Sequence, residues 1–168
     1  NNYENQTSIA QMGAVPALVK LLRHSGSIAV EAEVAGAFWA LSENHAANKE
    51  EIAAEQAIPV IIPQLASPNE RAQVHAANAL ASLSLGNEQN QEQVTALLVG
   101  LLETGDPGTQ LRASHALWRI VRENPSTEPL IAKAGGAEPL VRLLKDGTAE
   151  GKAYALWSLS LSINESNQ

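Results

Sequence analysis

The chain has 168 residues, of which 45% are hydrophobic and 17% charged, so it can form a sizeable core and is too apolar to be disordered. Its formal charge of −7 at pH 7 makes nucleic acids and anionic membranes unlikely partners unless a local basic patch overrides it. The absence of cysteine excludes disulfides and thiolate metal sites. No apolar run approaches the ~18 residues that a membrane span needs, so we expect no membrane insertion.

A short sequence recurs four times and defines the organisation of the chain. Its copies occupy residues 36–44, 78–87, 115–124 and 154–164. The second large apolar residues of these copies are Leu41, Leu83, Ile120 and Leu159, which follow one another at spacings of 42, 37 and 39 residues. A period of about 40 residues indicates a repeat protein, in which each unit is too small to bury its own apolar faces and stacks on its neighbours.

The sequence patterns of the first two repeats each predict a short helix followed by two longer ones. These repeats span approximately residues 1–44 and 45–87. In the second repeat, Pro63 lies inside the second helix. We expect a kink there, because proline has no N–H to donate and its ring clashes with the preceding turn. The third helix of this repeat is expected to begin after Ser67 as its N-cap, with Glu70 closing a capping box.

The third repeat, approximately 88–124, departs from this plan. Residues 87–93 are entirely polar and no Gly-Ala turn follows them, so the repeat is predicted to lack most of its first helix. Asp106 is the predicted N-cap of its last helix. The fourth repeat, approximately 125–168, returns to the three-helix plan.

The order of a Gly-Ala turn, a PLVxLL-type helix and a GALxxLS-type helix resembles the armadillo repeat, the three-helix unit of β-catenin and importin-α. The matching pieces are GAVPALVKLL with GAFWALS, AIPVIIPQL with NALASLS, TALLVGLL with HALWRIV, and GAEPLVRLL with YALWSLS. The resemblance covers essentially the whole chain. It implies an all-α fold, a right-handed α-solenoid of about four armadillo repeats. The HEAT repeat is the alternative, disfavoured by the short first helix and the glycine before the second.

The resemblance also implies a single solenoid over residues 1–168 that belongs to a longer array, since the two ends of the chain resemble each other. Terminal repeats without polar caps leave apolar faces in water, so we expect end-to-end self-association or fraying. Because this family is usually intracellular, the resemblance implies a protein of the cytoplasm or the nucleus.

In armadillo proteins the third helices line a concave groove, and the resemblance implies that a partner binds along it. A helical wheel of the recurring motif separates the apolar core side from a second side that varies between repeats. That variable side and the neighbouring tryptophan position give the predicted groove residues Glu33, Trp39, Glu43, His75, Asn78, Ser82, Arg112, His115, Trp118, Arg119, Arg122, Tyr154, Trp157 and Ser158, with Leu161 on the same side of the last copy.

The third repeat presents a basic face on its last helix. Arg112, His115, Arg119 and Arg122 recur at helical spacing, and such a row can hold carboxylates or phosphate through charge-assisted hydrogen bonds. The alternative is a solvated face whose charges pair with Glu123 or other neighbours. Binding of nucleic acid through the three arginines is a weaker possibility, which the overall negative charge disfavours.

Two further features of the variable side concern aromatic residues. Trp39, Trp118 and Trp157 share one motif position, where a tryptophan can pack against the adjacent third helix or anchor a ligand. Importin-α grips basic peptides with a Trp and Asn pair four residues apart, and no copy here carries that pair. The matching positions are Gly36 and Ala40, Asn78 and Ser82, His115 and Arg119, and Tyr154 and Ser158.

These features favour a protein-interaction module that binds a peptide or helix of a partner, specifically an acidic or phosphorylated segment. The alternative is a structural spacer or regulatory arm of a larger protein. We expect no enzyme activity, cofactor or metal, because the four histidines lack metal-ligand spacing and neither a phosphate-binding loop nor a nucleophile elbow occurs.

Overall fold

The structure is a computed structural model that describes residues 2–164, with side chains as far as Leu159. Residue 1 and residues 165–168 of the predicted domain, and the side chain of Leu161, lie outside the described part. Within residues 2–164 the chain forms helices joined by short turns, and no strand occurs there. The prediction of an all-α fold is therefore confirmed.

Eleven α-helices and two 3-10 segments account for the described residues. The helices are α1 Asn2–Gln11, α2 Ala14–His24, α3 Ile28–Ser42, α4 Ala46–Ala54, α5 Ile58–Ile61, α6 Glu70–Ser84, α7 Glu88–Thr104, α8 Pro107–Glu123, α9 Glu128–Lys133, α10 Ala137–Asp146 and α11 Ala149–Asn164. The 3-10 segments are Ile62–Ala66 and Pro125–Thr127. The helices cluster into two compact units that divide between Asn90 and Gln91, which we call the first and the second unit.

The apolar side of the recurring motif forms the core of both units. In the first unit, α3 packs against α6 and buries Phe38 and Leu83 completely, with Leu41 only 5% exposed. In the second unit, α8 packs against α11 and buries Leu117 and Ile120. Removing these side chains from water is the main favourable contribution to folding, so the motif specifies where the third helices meet.

Proline interrupts the second helix of the second repeat, as predicted. The helix α5 ends at Ile61 and continues as the 3-10 segment that contains Pro63. The predicted cap of the next helix was wrong by two residues. Asn69, and not Ser67, is the N-cap of α6, and its side-chain oxygen accepts hydrogen bonds from the N–H groups of Arg71 and Ala72. The Ser67 hydroxyl instead accepts from the N–H of Asn69 and so orders the cap itself.

The third repeat contains two α-helices between residues 88 and 123, all of which the structure describes. A separate first helix is missing, as predicted, but the polar run is helical and forms the first turns of α7. Glutamate and glutamine are good helix formers, and no glycine or proline interrupts the run before Val94. Asn90 and Gln91 are buried despite their polarity, at 2% and 4% exposed.

Buried amides join successive elements of the first unit. The side-chain nitrogen of Asn48 donates to the carbonyl oxygen of Leu41 at 2.9 Å, and that of Asn90 donates to Leu83 at 3.1 Å. Both acceptors lie in the last turn of a helix, where carbonyl groups lack an intrahelical partner. The equivalent residue of the fourth repeat is Thr127, whose buried hydroxyl has no hydrogen-bond partner among the described residues. We call these positions the junction residues.

Candidate functional site

In the first unit, the predicted groove residues Glu33 and Glu43 contact residues outside the predicted set. Arg71 makes two contacts with the Glu33 carboxylate, at 3.0 and 3.1 Å, and both side chains are more than 60% exposed. Glu43 is exposed at the end of α3, and its backbone carbonyl accepts a hydrogen bond from the Gln6 amide. The acidic character predicted for this repeat is therefore partly neutralised by Arg71.

His75 joins α6 to α3 in the first unit through a hydrogen bond. Its Nδ1 lies 2.9 Å from the carbonyl oxygen of Ala32, so this nitrogen carries the proton and donates it. A Cβ atom added at Gly36 would lie 2.7 Å from the same Nδ1, which shows that glycine permits the approach. Trp39 lies beside this imidazole, with ring centroids 6.2 Å apart. We interpret His75 as a packing residue.

Burial corrects two predicted groove positions. Ser82 and Ser158 are only 8% and 1% exposed, so neither presents its side chain to a ligand in solution. The wheel placed them on the variable side, but a wheel of one helix does not show that a neighbouring helix covers that strip. Asn78, one turn before Ser82, is partly exposed and stays on the variable side.

In the second unit, four aromatic side chains from α8 and α11 form one cluster, which we call the aromatic cluster: His115, Trp118, Tyr154 and Trp157. The His115 and Tyr154 rings stack across the two helices with centroids 4.6 Å apart, and those of Trp118 and Trp157 lie 5.3 Å apart. Trp157 is 48% exposed. Helix packing, one of the two predicted roles of the tryptophan position, therefore occurs here, and the anchoring of a ligand stays a prediction.

Two arginines flank the aromatic cluster on α8. The guanidinium carbon of Arg122 lies 4.5 Å from the centroid of the Trp118 ring, a cation–π geometry that orders the arginine side chain. Glu123 lies 3.7 Å from both Arg119 and Arg122, an ion-pair distance that is longer than a hydrogen bond. The Arg122 side chain is 54% exposed. The alternative in which the charges of this face pair with Glu123 therefore holds in part, while the Arg122 side chain remains accessible to water.

Arg112 and His115 contribute less positive charge to this site than the sequence indicated. Arg112 lies beside the N-terminal turn of α8, 3.4 Å from the Thr109 hydroxyl. There Asp106 is the N-cap, as predicted, and bonds to Thr109 lower its carboxyl pKa. Burial, and then the charges of Arg119 and Arg122, lower the pKa of His115 below its usual value. The lowered pKa favours the neutral form of this imidazole, which stacks on the Trp118 and Tyr154 rings.

The first unit also exposes an apolar patch on α2 and α3. It is lined by Leu18, Leu21, Ala29, Val30, Val34 and Ala37, with Glu33 at its edge. Leu21 is 43% exposed, and Ile28 on the same helix as Val30 is 46% exposed. A patch of this kind is where the predicted self-association would act, and that association stays a prediction.

No model of a known protein family matches the chain, and neither does any curated protein. Solved structures do match. A crystal structure of an engineered protein from the Northeast Structural Genomics Consortium is 28% identical, with a TM-score of 0.64 over 88% of this chain and 62% of its own. A designed armadillo repeat protein in complex with the peptide (KR)4 is 24% identical, with a TM-score of 0.68 over 95% of this chain and 68% of its own.

A third match comes from work describing a conserved phosphorylation switch that controls the interaction between cadherin and β-catenin. It is 21% identical, with a TM-score of 0.62 over 95% of this chain and 31% of its own. The helix order and these matches agree. The chain has the armadillo-like repeat fold.

The armadillo-like fold is typically a protein-binding scaffold without enzymatic activity. In the part of this chain that the structure describes, no group of histidine, aspartate and glutamate side chains is arranged to hold a metal ion. No helix in residues 2–164 combines the length and the apolarity that a bilayer crossing requires.

The aromatic cluster was only partly visible in the sequence. The predicted groove residues include all four of its members, together with Arg119 and Arg122. Its stacking pair of His115 and Tyr154 depends on how α8 and α11 pack, which a single-helix wheel does not contain. Gln6, Asn48 and Asn90 were missed as structural residues, although their spacing of 42 residues would have revealed them.

Proposed function

We propose that this armadillo-like chain binds an acidic or phosphorylated segment of a partner protein, and that the second unit supplies the binding surface. The observation that carries the proposal is the arrangement of Arg119 and Arg122 on α8 beside the aromatic cluster, in which Trp157 of α11 is exposed. Tryptophan, tyrosine and arginine are the residue types most enriched among those that contribute most to the affinity of protein interfaces.

Charge explains the choice of an acidic ligand. The helix α8 carries three arginines and one glutamate, so its face is positive within a chain whose formal charge is −7. Arg122 is held over Trp118 at 4.5 Å, so part of its conformational entropy has already been lost before a ligand arrives. A carboxylate or phosphate can accept paired hydrogen bonds from such a planar guanidinium.

The designed armadillo protein in the comparison was solved with the basic peptide (KR)4, whereas the candidate surface of this chain is itself basic. A lysine or arginine of a ligand would meet Arg119 and Arg122 and be repelled. We therefore expect this chain to prefer an acidic peptide over (KR)4.

The test compares two labelled octapeptides, (DE)4 and (KR)4, by fluorescence anisotropy with the 168-residue chain. We expect (DE)4 to bind and (KR)4 not to bind. Affinity for (DE)4 should fall at least about tenfold in the Arg119→Glu, Arg122→Glu double variant, because charge-assisted contacts become repulsive. Raising the salt concentration from 50 to 200 mM should also weaken binding, since exposed charges are screened (Debye length about 8 Å at 0.15 M).

Arg142→Glu is the matched control. Arg142 lies in the same unit, is 51% exposed and pairs with Glu138 at 3.6 Å, so it matches Arg122 in exposure and in the type of its ion pair. We expect a small loss of (DE)4 affinity in this variant, since it also changes the net charge. An equal loss in the control and in Arg122→Glu, or equal binding of the two peptides, would contradict the proposal and favour the spacer interpretation.

A further inference from the structure

We infer that the second unit recognises an aromatic side chain flanked by acidic residues, with the aromatic ring packed on Trp157 and the acidic groups held by Arg122. This inference rests on the proposed function and narrows its ligand. An acidic segment alone would use only the arginines, whereas the Trp118 ring next to Arg122 also contacts the exposed Trp157.

Trp118 joins the two parts of this surface. One neighbour of its ring is the Arg122 guanidinium, at 4.5 Å from the centroid, and another is the Trp157 ring, at 5.3 Å and tilted by 35°. Trp118 therefore contacts both the cation and Trp157. Trp157 is 48% exposed, so a ligand ring that packs on it removes apolar surface from water.

The chemistry of the neighbouring groups favours an aromatic ligand over a cationic one. Electron-rich tryptophan faces attract lysine and arginine in many proteins, but here Arg122 already lies over Trp118 and would repel a second cation. Trp157 meets Tyr154 edge to face, with centroids 5.4 Å apart and planes at 66°. A further ring can join such a cluster in an offset or edge-to-face arrangement. The flanking acids then reach the arginines.

The first unit lacks this combination and so provides an internal reference. Trp39 occupies the same motif position as Trp157, but its aromatic neighbour is His75 at 6.2 Å. The equivalent position of the second repeat is Ala81, which is completely buried. A ligand that needs both a tryptophan pair and a stacked arginine therefore discriminates between the units.

The experiment uses three labelled peptides with the 168-residue chain: DEDEFDEDE, DEDEADEDE and NQNQFNQNQ. We expect the first to bind about fivefold or more tightly than the second, a gain typical of an aromatic contact at an interface. In Trp157→Leu this gap should close, because leucine keeps an apolar side chain but has no aromatic face. In the control Trp39→Leu the gap should remain. None of the peptides contains tryptophan, so a blue shift of the protein's own fluorescence on adding DEDEFDEDE gives a second measurement without any substitution.

The outcomes separate this inference from the proposed function. If DEDEFDEDE and DEDEADEDE bind equally well and both bind better than NQNQFNQNQ, the inference is overturned and the acidic ligand stands. If NQNQFNQNQ binds as well as DEDEFDEDE, charge plays no part and the proposed function fails together with the inference. A fivefold gap that persists in Trp157→Leu would overturn the placement of the ring.

Discussion

The two units use the same third-helix position in different ways. In the first unit this position holds Trp39, beside a histidine that closes a helix contact, and the completely buried Ala81. In the second unit it holds Trp118 and Trp157, which form an aromatic cluster with a stacked arginine. The large apolar residues of the motif are buried in the first three copies, whereas Leu156 in the fourth copy is 55% exposed. One repeat frame therefore supports different surfaces, because the positions beside the apolar side are buried in some copies and exposed in others.

The largest expected loss of stability comes from placing a tryptophan, the residue that the second unit carries at this motif position, at the corresponding position of the first unit. Ala81→Trp should destabilise the chain by about 3 kcal/mol, at the upper end of the range for overpacking, because Ala81 is completely buried between neighbouring elements. Urea denaturation followed by circular dichroism measures the change in the free energy of unfolding. Ala81→Gly is the control and should cost only about 1 kcal/mol. A stable Ala81→Trp protein with an exposed new tryptophan would contradict the stated difference between the units.

The next largest change in stability is expected at the junction residues. Asn48→Ala should cost about 2 kcal/mol, because the Asn48 amide donates to both Leu41 and Gln6 carbonyls, at 2.9 and 3.3 Å. Thermal and urea unfolding measure this loss of stability. Asn48→Asp keeps the shape of the side chain but removes the donor and brings a negative charge to the two carbonyls, so its cost at pH 7 should be at least as large. Equal stability of Asn48→Asp and the unmodified chain would show that the hydrogen bonds do not matter.

The equivalent position in the second unit should respond in the opposite direction. Thr127→Val should stabilise the chain by about 1 kcal/mol, because the substitution removes a buried hydroxyl without a partner and preserves the shape. The control is Thr109→Val in the same unit. The Thr109 hydroxyl donates to Asp106 at 2.6 Å and is also buried, so its loss should destabilise. Urea denaturation measures the free energy of unfolding of both variants. A destabilised Thr127→Val variant would contradict the conclusion that the Thr127 hydroxyl lacks a partner among the described residues.

The smallest effect is expected at the exposed ion pair of the first unit. Arg71→Ala should change the free energy of unfolding by no more than about 0.5 kcal/mol, since Arg71 and Glu33 are 63% and 61% exposed. Glu33→Ala should behave alike, and the small difference should vanish in high salt. A loss above about 1 kcal/mol, measured by urea denaturation, would show that this pair holds α3 and α6 together and is more than a solvated contact.

The sequence predicted the features that depend on periodicity and missed those that depend on a specific neighbour. Burial of Leu41, Leu83 and Ile120 followed from a pattern repeated in each copy. Ser82 and Ser158 were placed on an accessible side because the wheel of one helix contains no information on the helix packed beside it.

The candidate site shows the same limit. Arg119, Arg122 and Trp118 share α8, so their proximity follows from helical spacing alone. Trp157 lies on α11, and its contact with Trp118 follows from the packing of two helices that are distant in sequence. At the start of α6, serine is as good a cap as asparagine by residue preference, so only the backbone conformation at Asn69 decides between them.

The junction residues have a consequence for how this chain tolerates changes in length. Leu41 and Asn48, Leu83 and Asn90, and the equivalent Ile120 and Thr127 are each separated by seven residues. The spacing of successive junction residues varies, being 42 between Asn48 and Asn90 and 37 between Asn90 and Thr127. Insertions and deletions are therefore accommodated elsewhere in the repeat, while the distance in sequence from the helix end to the junction residue stays constant. A loop graft into this protein should spare the residues between them.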